Sequence, residues 1–194
     1  MPNIVKIRLV QLITDSTNSQ WSRHNMSMLL QFLDKNKSGD FYILSNEWRL
    51  LRDRDLIKVQ SPPYHVSDKA VILSRDTPTN FNNYRYEINL QNNFEKRNCN
   101  KNCEIVDWEK LKNKTLKLRL WKQGDAFQPL GMKGHQKISD FLINEKVDCI
   151  DKELQSVLTA NEKIVWVCGK RISNWVKITQ RTNQIAVLSR NMVQ

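Results

Sequence analysis

The side chains best placed to do chemistry fall in one stretch, Arg119 to Phe141, which reads RLWKQGDAFQPLGMKGHQKISDF. Arg119, Lys122, Lys133 and Lys137 recur along it as cations. Gly124, Gly131 and Gly134 permit tight or positive-φ backbone between them. Pro129 stiffens the middle, and Phe127, Leu130 and Met132 are placed to anchor the loop on a core. A short helix from about Ser139 to Glu145, with Ser139 as its cap, would bring free N–H groups to the same place and favour an anion there. Spaced cations, glycines for close approach and a helix start suit the holding of a phosphate backbone. The plainer reading is a surface turn. On the stronger one Arg119, Lys122, Lys133, Lys137 and Arg171 contact RNA phosphates, Lys146 and Lys170 assist, and Gly124, Gly131 and Gly134 shape the loop.

Bond-breaking chemistry finds little support. The five glycines, Gly39, Gly124, Gly131, Gly134 and Gly169, are never adjacent and form no phosphate-binding fingerprint. No serine stands in a nucleophile elbow, and no pair of histidines has metalloprotease spacing. His24, His65 and His135 lie in separate segments. Asp125 and Asp140 flank the loop as a nominal acid–base pair, but Asp125 after Gly124 suits a turn and Asp140 suits the first turn of a helix. No catalytic residue is assigned. Cys99 and Cys103 have the spacing of half a zinc site. Cys149 and Cys168 stand alone, so no metal is expected and all four read as reduced thiols. Trp121, on the basic side of its strand, is the tryptophan placed for base contact; the others suit core packing.

The chain has 194 residues with 31 Lys and Arg against 20 Asp and Glu, a net charge of +11. Residues 107–194 hold +7 of that excess. A polyanion is the partner such a balance favours. No run approaches the ~18–20 apolar residues of a membrane span, and the first residues do not resemble a signal peptide. A soluble, cytoplasmic protein with no membrane partner is expected.

The elements positioning these residues are α+β: a small helical segment with strands, then a mainly antiparallel C-terminal α+β domain. Residues 3–14 and 21–34 have helical spacing, the first through Ile4, Val5, Leu9, Leu12 and Ile13, and the cluster Asp15–Ser19 suits a cap for the second. Gly39 is a natural helix stop. Short strands follow at Phe41-YILS, Trp48-RLLR and Leu56-IKV. Ser61-Pro62-Pro63 marks a boundary. Three segments result: 1–60, a strand-rich connector at 61–106, and 107–194. The connector holds Ala70-VILS, the alternating strand Tyr84-RYEINL and a polar, mobile loop from Asn92 to Asn102. In the last segment Leu116, Leu118 and Leu120 alternate with Lys117, Arg119 and Trp121 as a strand with one basic face. Ile164-VWV, Trp175-VKI and Ile185-AVL read as further strands.

The blocks Leu118-RLWKQGDAFQPLGMKG, Lys137-ISDFLINEKV, Ile164-VWVCGKRI and Thr182-NQIAVL resemble, in order, the C-terminal domain of tRNA(Ile)-lysidine synthetase. Residues 1–60 resemble the end of the preceding substrate-binding domain. Gln136 stands where the family usually has a second lysine, and Lys152 is the nearest base where an arginine is typical. The resemblance implies an enzyme that joins lysine to the wobble cytidine of tRNA(Ile). ATP with magnesium is then bound by an N-terminal catalytic domain bearing Ser-Gly-Gly-x-Asp-Ser. This chain would be the tRNA-recognition part, lacking that domain and inactive alone. Its partners would be tRNA(Ile) and its own catalytic domain, with a homodimer as a further association. Alternatives from other classes are a protein-interaction module docking a separate catalytic subunit and a small free-standing enzyme.

Overall fold

A computed structural model of the chain describes residues 2–14, 21–35, 37–44, 48–60, 67–91 and 102–193. The chain divides into two units, Met1–His65 with Asp148–Ile150, and Val66–Val147 with Asp151–Gln194.

The first unit sets two helices, α1 (Asn3–Ile13) and α2 (Arg23–Lys35), with an antiparallel sheet of β1 (Phe41–Ile43), β2 (Arg49–Asp53) and β3 (Leu56–Gln60). The Ser22 hydroxyl accepts the Asn25 N–H at 3.1 Å and so closes the first turn of α2. The capping cluster expected at Asp15–Ser19 lies outside the described residues. At the other end of α2, an Arg52 N–H reaches the Leu33 carbonyl at 3.2 Å, which satisfies an orphan acceptor. Gly39 serves the turn into β1 and donates to the Arg52 carbonyl at 2.8 Å.

Periodicity misassigned the face of α1. Ile7 and Val10 are the buried residues, packed in a core with Leu29, Phe32, Leu44 and Leu50, while Ile4, Val5, Leu9, Leu12 and Ile13 are exposed. Asn3, Lys6, Arg8 and Gln11 are scattered among the apolar residues of α1, so no clean stripe is left for spacing to choose.

The second unit is two antiparallel sheets with their faces together. One has the order β13 (Arg171–Ile172), β12 (Lys163–Val167), β11 (Ser156–Ala160), β8 (Leu116–Leu120), β4 (Val71–Ile72). The other runs β5 (Thr79–Phe81), β6 (Tyr84–Gln91), β14 (Ile185–Met192), β7 (Cys103–Asp107). Every strand pair is antiparallel, as the α+β expectation required. Tyr86, Ile88, Val106 and Leu188 of one sheet share a core with Leu118, Leu158 and Trp166 of the other. Tyr86 and Trp166 meet edge to face at 6.4 Å. On the opposite face of the larger sheet, Val157, Ile164 and Val167 pack with Phe127 and with Ile138, Phe141 and Leu142. Strand β11 is thus buried on both sides along its whole length. Its Ser-Val-Leu-Thr-Ala run has no alternation to announce it, which is why pattern reading passed over it.

Three expectations are corrected. Residues 61–106 are not a connector: β4 pairs with β8, and β6 and β7 flank β14, so this stretch builds both sheets of the second unit. Trp175-VKI is not a strand, because Asn174–Val176 is a single 3-10 turn. Ser173 Oγ and the Trp175 indole both donate to the Ile164 carbonyl, which folds the segment against β12. Cys103 is disulfide-bonded, not a reduced thiol; Cys168 is a free, buried thiol. The loop expected at Asn92–Asn102 lies outside the described residues up to position 101. Among the described residues no helix is long and apolar enough to cross a membrane.

Replacing Leu9 and Leu12 together by serine should leave the unfolding midpoint almost unchanged, within about 0.5 kcal/mol per site. Leu29→Ala, fully buried on the neighbouring helix, should cost about 2–5 kcal/mol. Urea unfolding of both variants checks the assignment, and a large loss from the serine pair would place the wrong face inside.

Candidate functional site

The cationic stretch starts in β8, where Arg119 stands between two leucines and turns inward. It is 9% exposed. Its guanidinium forms a fork with Asp125, Nη1 to Oδ2 at 2.7 Å and Nη2 to Oδ1 at 2.9 Å, and Nη1 also donates to the Leu120 carbonyl at 2.9 Å. The Asp125 carboxylate accepts the Lys122 N–H as well, at 2.8 Å. Burial alone would raise the Asp125 pKa. The hydrogen bonds from Arg119 and Lys122 and their charges outweigh it, and the carboxyl lies below its ordinary value. The expected phosphate contact at Arg119 is therefore corrected: its charge is spent on Asp125, and it positions the loop.

From this turn the chain enters a short hairpin of β9 (Ala126–Phe127) and β10 (Gln136–Lys137). Phe127 is buried and meets Phe141 edge to face at 5.2 Å. The hairpin's outer arm is stitched along β13. Leu130 N–H donates to the Ile172 carbonyl at 2.9 Å, Asn174 N–H to the Gln128 carbonyl at 2.7 Å, and Pro129 bridges Ser173. Gln128 braces the tip, Nε2 to the Met132 carbonyl at 2.7 Å. Gly124 and Gly131 have φ of +92° and +91°, a region glycine adopts freely. Gly134 has no positive φ and open space where a Cβ would stand, so its expected shaping role is corrected.

Lys122, Lys133 and Lys137 are exposed on this braced frame. Lys122 stands in the Asp125 turn, Lys133 at the tip, and Lys137 on β10 opposite Ala126. Helix α3 (Ile138–Asn144) starts at once after Lys137. Lys137 is its cap position and no side chain caps it, so Ser139 lies inside the helix and bonds to Asp140 instead. The helix is only seven residues long and its Ile138 N–H is already taken by the Asp125 carbonyl, which weakens the helix-terminus part of the expected anion site. Lys146 follows α3, separated from Lys137 by its full length. Arg171 is exposed on β13, and its charge reaches Glu104 of β7, partly offsetting the rise that burial imposes on that carboxyl. Lys170 is half-buried beside it. Trp121 is half-buried and its indole N–H donates to the Lys152 carbonyl, so it is held as a packing residue.

Residue spacing missed Asp125 as the organising group. Alternation puts Arg119 on the face of β8 opposite Leu118 and Leu120, and no local signal shows that this face is covered by a second core as well. Among the described residues no group of three or more His, Cys, Asp or Glu has the arrangement to hold a metal ion.

The model of the TilS substrate C-terminal domain matches residues 116–188, the span holding β8, the hairpin, α3, β11–β13 and the start of β14. The chain carries the C-terminal domain of the tRNA(Ile)-lysidine synthase family. It is 33% identical to the tRNA(Ile)-lysidine synthase of Parabacteroides distasonis, over 81% of this chain and 35% of that protein. It is 31% identical to that of Bacteroides thetaiotaomicron, over 74% of this chain and 31% of that protein. The chain thus spans about a third of the length of the curated relatives it matches. A crystal structure of a TilS C-terminal domain shares the fold, with a TM-score of 0.51 over 64% of this chain and 92% of that one, at 16% identity.

Asp125→Asn should lower stability by about 3 kcal/mol, in the range for breaking a buried ion pair. A lowered carboxyl pKa contributes stability above its unfolded value and loses it as pH falls through the folded one. The variant's melting temperature should therefore decline less in acid than the unsubstituted chain's. Gly131→Ala should cost about 1 kcal/mol and Gly134→Ala almost nothing, by the same melts.

Proposed function

We propose that this chain is the tRNA-binding C-terminal portion of a tRNA(Ile)-lysidine synthase. It positions tRNA(Ile) while ligase chemistry, joining lysine to the wobble cytidine with ATP, is performed by a catalytic domain of the kind the longer relatives have room for. The observation carrying this reading is the braced hairpin: an arginine and an aspartate neutralise each other beneath it, and Lys122, Lys133 and Lys137 are left exposed above. Phosphate oxygens are the natural ligand for such an arrangement.

ATP does not suit the loop itself. The N–H groups of Asp125, Leu130 and Met132 are already bonded to the carbonyls of Lys122, Ile172 and Pro129, so these glycine-flanked amides do not converge on a phosphate. ATP and its magnesium belong, on this reading, to the catalytic domain. A protein-docking role is favoured for the first unit by the exposed apolar residues of α1. It concerns a different surface and is compatible with RNA binding by the second unit.

Binding of tRNA(Ile) to the 194-residue chain, measured at 50 and 200 mM salt, tests the proposal. Affinity should fall steeply with salt, and the charge reversals Lys133→Glu and Lys137→Glu should each lower it and flatten the slope by about 0.7–0.9 or more per lost phosphate contact. Asp125→Asn adds a positive charge yet loosens the frame; weaker binding by this variant supports a positioned site. Salt-independent binding, or binding indifferent to both reversals, would sink the proposal.

A further inference from the structure

A second cation in this unit has no use in the hairpin. Arg190 lies near the end of β14, opposite Tyr86 of β6, and its backbone N–H donates to the Asn102 carbonyl at 2.9 Å. Its guanidinium stands over the Tyr84 ring, 4.5 Å from the centroid. It also covers Gly169, in the turn between β12 and β13. An ideal Cβ at that glycine would be 2.0 Å from Arg190 Cζ and 2.2 Å from Nε. Only the missing side chain at 169, whose φ is +71°, leaves space for the group.

This seat leaves the charge incompletely satisfied. Arg190 Nε is buried without a hydrogen-bond acceptor. Among the described residues no carboxylate forms an ion pair with Arg190. A ring face offsets only part of the cost of withdrawing a cation from water. Arg119 shows what the same fold does with a structural arginine: it supplies a two-point carboxylate. Arg190 is given the neutral Tyr86 hydroxyl as acceptor, and a flat ring and a flat glycine that fix the plane of the guanidinium. The residue as a whole is half-buried. Lys170 and Arg171 follow Gly169 directly and add positive charge, with Glu104 the one carboxylate shown to act on Arg171. A planar fork held in place, with a hydroxyl but no carboxylate to meet it, matches phosphate.

We propose that Arg190, seated between Tyr84 and Gly169, is a second phosphate-binding position for the RNA backbone, separate from the hairpin. It rests on the reading that this unit binds tRNA, and it adds a contact from the sheet of β5, β6, β14 and β7. Gly169 and Tyr84 are then positioning residues for the guanidinium.

The test is tRNA(Ile) binding by the full 194-residue chain over a salt series, with melting temperatures for each variant. Arg190→Gln should lower affinity about tenfold at low salt, as for one charge-assisted hydrogen bond, and reduce the salt slope by about 0.7–0.9. Gly169→Ala keeps every charge but displaces the guanidinium, and should weaken binding in the same direction. Arg190→Lys keeps the charge and loses the fork; it carries the test if Arg190→Gln fails to fold, and lowered affinity with a retained slope is its expected result. Unchanged affinity and slope in Arg190→Gln, or wild-type affinity in Arg190→Lys, overturns this inference while leaving the hairpin reading intact. A chain that binds no tRNA at all overturns both.

Discussion

The fork between Arg119 and Asp125 is the contact on which the presentation of the loop depends. Arg119 leaves β8 on the face opposite Leu118, and that face is covered by a second core, so its charge is carried into low dielectric and requires a carboxylate there. Asp125 meets it at two points, and the same carboxylate takes the Lys122 N–H. The Asp125 carbonyl accepts the Ile138 N–H at 2.9 Å. One residue therefore ties β8, the turn after it and the first residue of α3 together. Without it, the hairpin would hang from the Phe127 anchor and from its bonds to β13.

That fork can be strong only because its surroundings are fixed. Strand β11 is buried on both faces, so the two cores of the second unit share one rigid element. On one side Leu158 meets the second sheet; on the other Val157 meets Phe141 and Leu142 of α3. The helix following the loop and the strand preceding it thus rest on the same sheet. Lysines at 122, 133 and 137 lose little further order when they meet a ligand, because the backbone beneath them is already placed. On the proposed reading lysine suits this place: a strongly hydrated point charge on a flexible stem tolerates small errors in phosphate position that a guanidinium fork would not.

Legibility in the sequence followed the physics of each element. Strand Tyr84–Gln91 was plain, because Tyr86 and Ile88 face a core and Arg85 and Asn89 face water, giving a strict alternation. The hairpin was recognisable from its glycines, proline and lysines. β11 was hidden because burial on both sides removes alternation, and α1 was seen as a helix but with the wrong face because its polar residues are scattered and mark no single outer side. The stretch 61–106 looked like a connector because its strands are short and its partners, β8 and β14, lie far along the chain; pairing at such range leaves no local trace. Arg119 was grouped with the exposed lysines because charge can be counted in a sequence while burial cannot. The glycines were legible as a set but not one by one: Gly131 needs its freedom and Gly134 does not.

The two arginines show how this fold separates structural from available charge. Arg119 and Arg190 both leave β-strands, and both approach the core. A structural guanidinium is matched in number and direction by its acceptors, and Arg119 meets that condition with Asp125 and the Leu120 carbonyl. Arg190 is matched mainly in shape, by a ring and a glycine that fix its plane, with the neutral Tyr86 hydroxyl as acceptor and Nε left without one. Evenly distributed repulsion among 31 basic residues would favour spreading such groups into solvent. Holding one in place without a counter-charge is a cost to the free chain that an anionic ligand would relieve. On the proposed reading, the braced lysines supply attraction that depends little on detail, and the seated arginine supplies a fixed point. Two such positions on different sheets would respond to the path of an RNA backbone, so recognition would come from shape while the bases go unread.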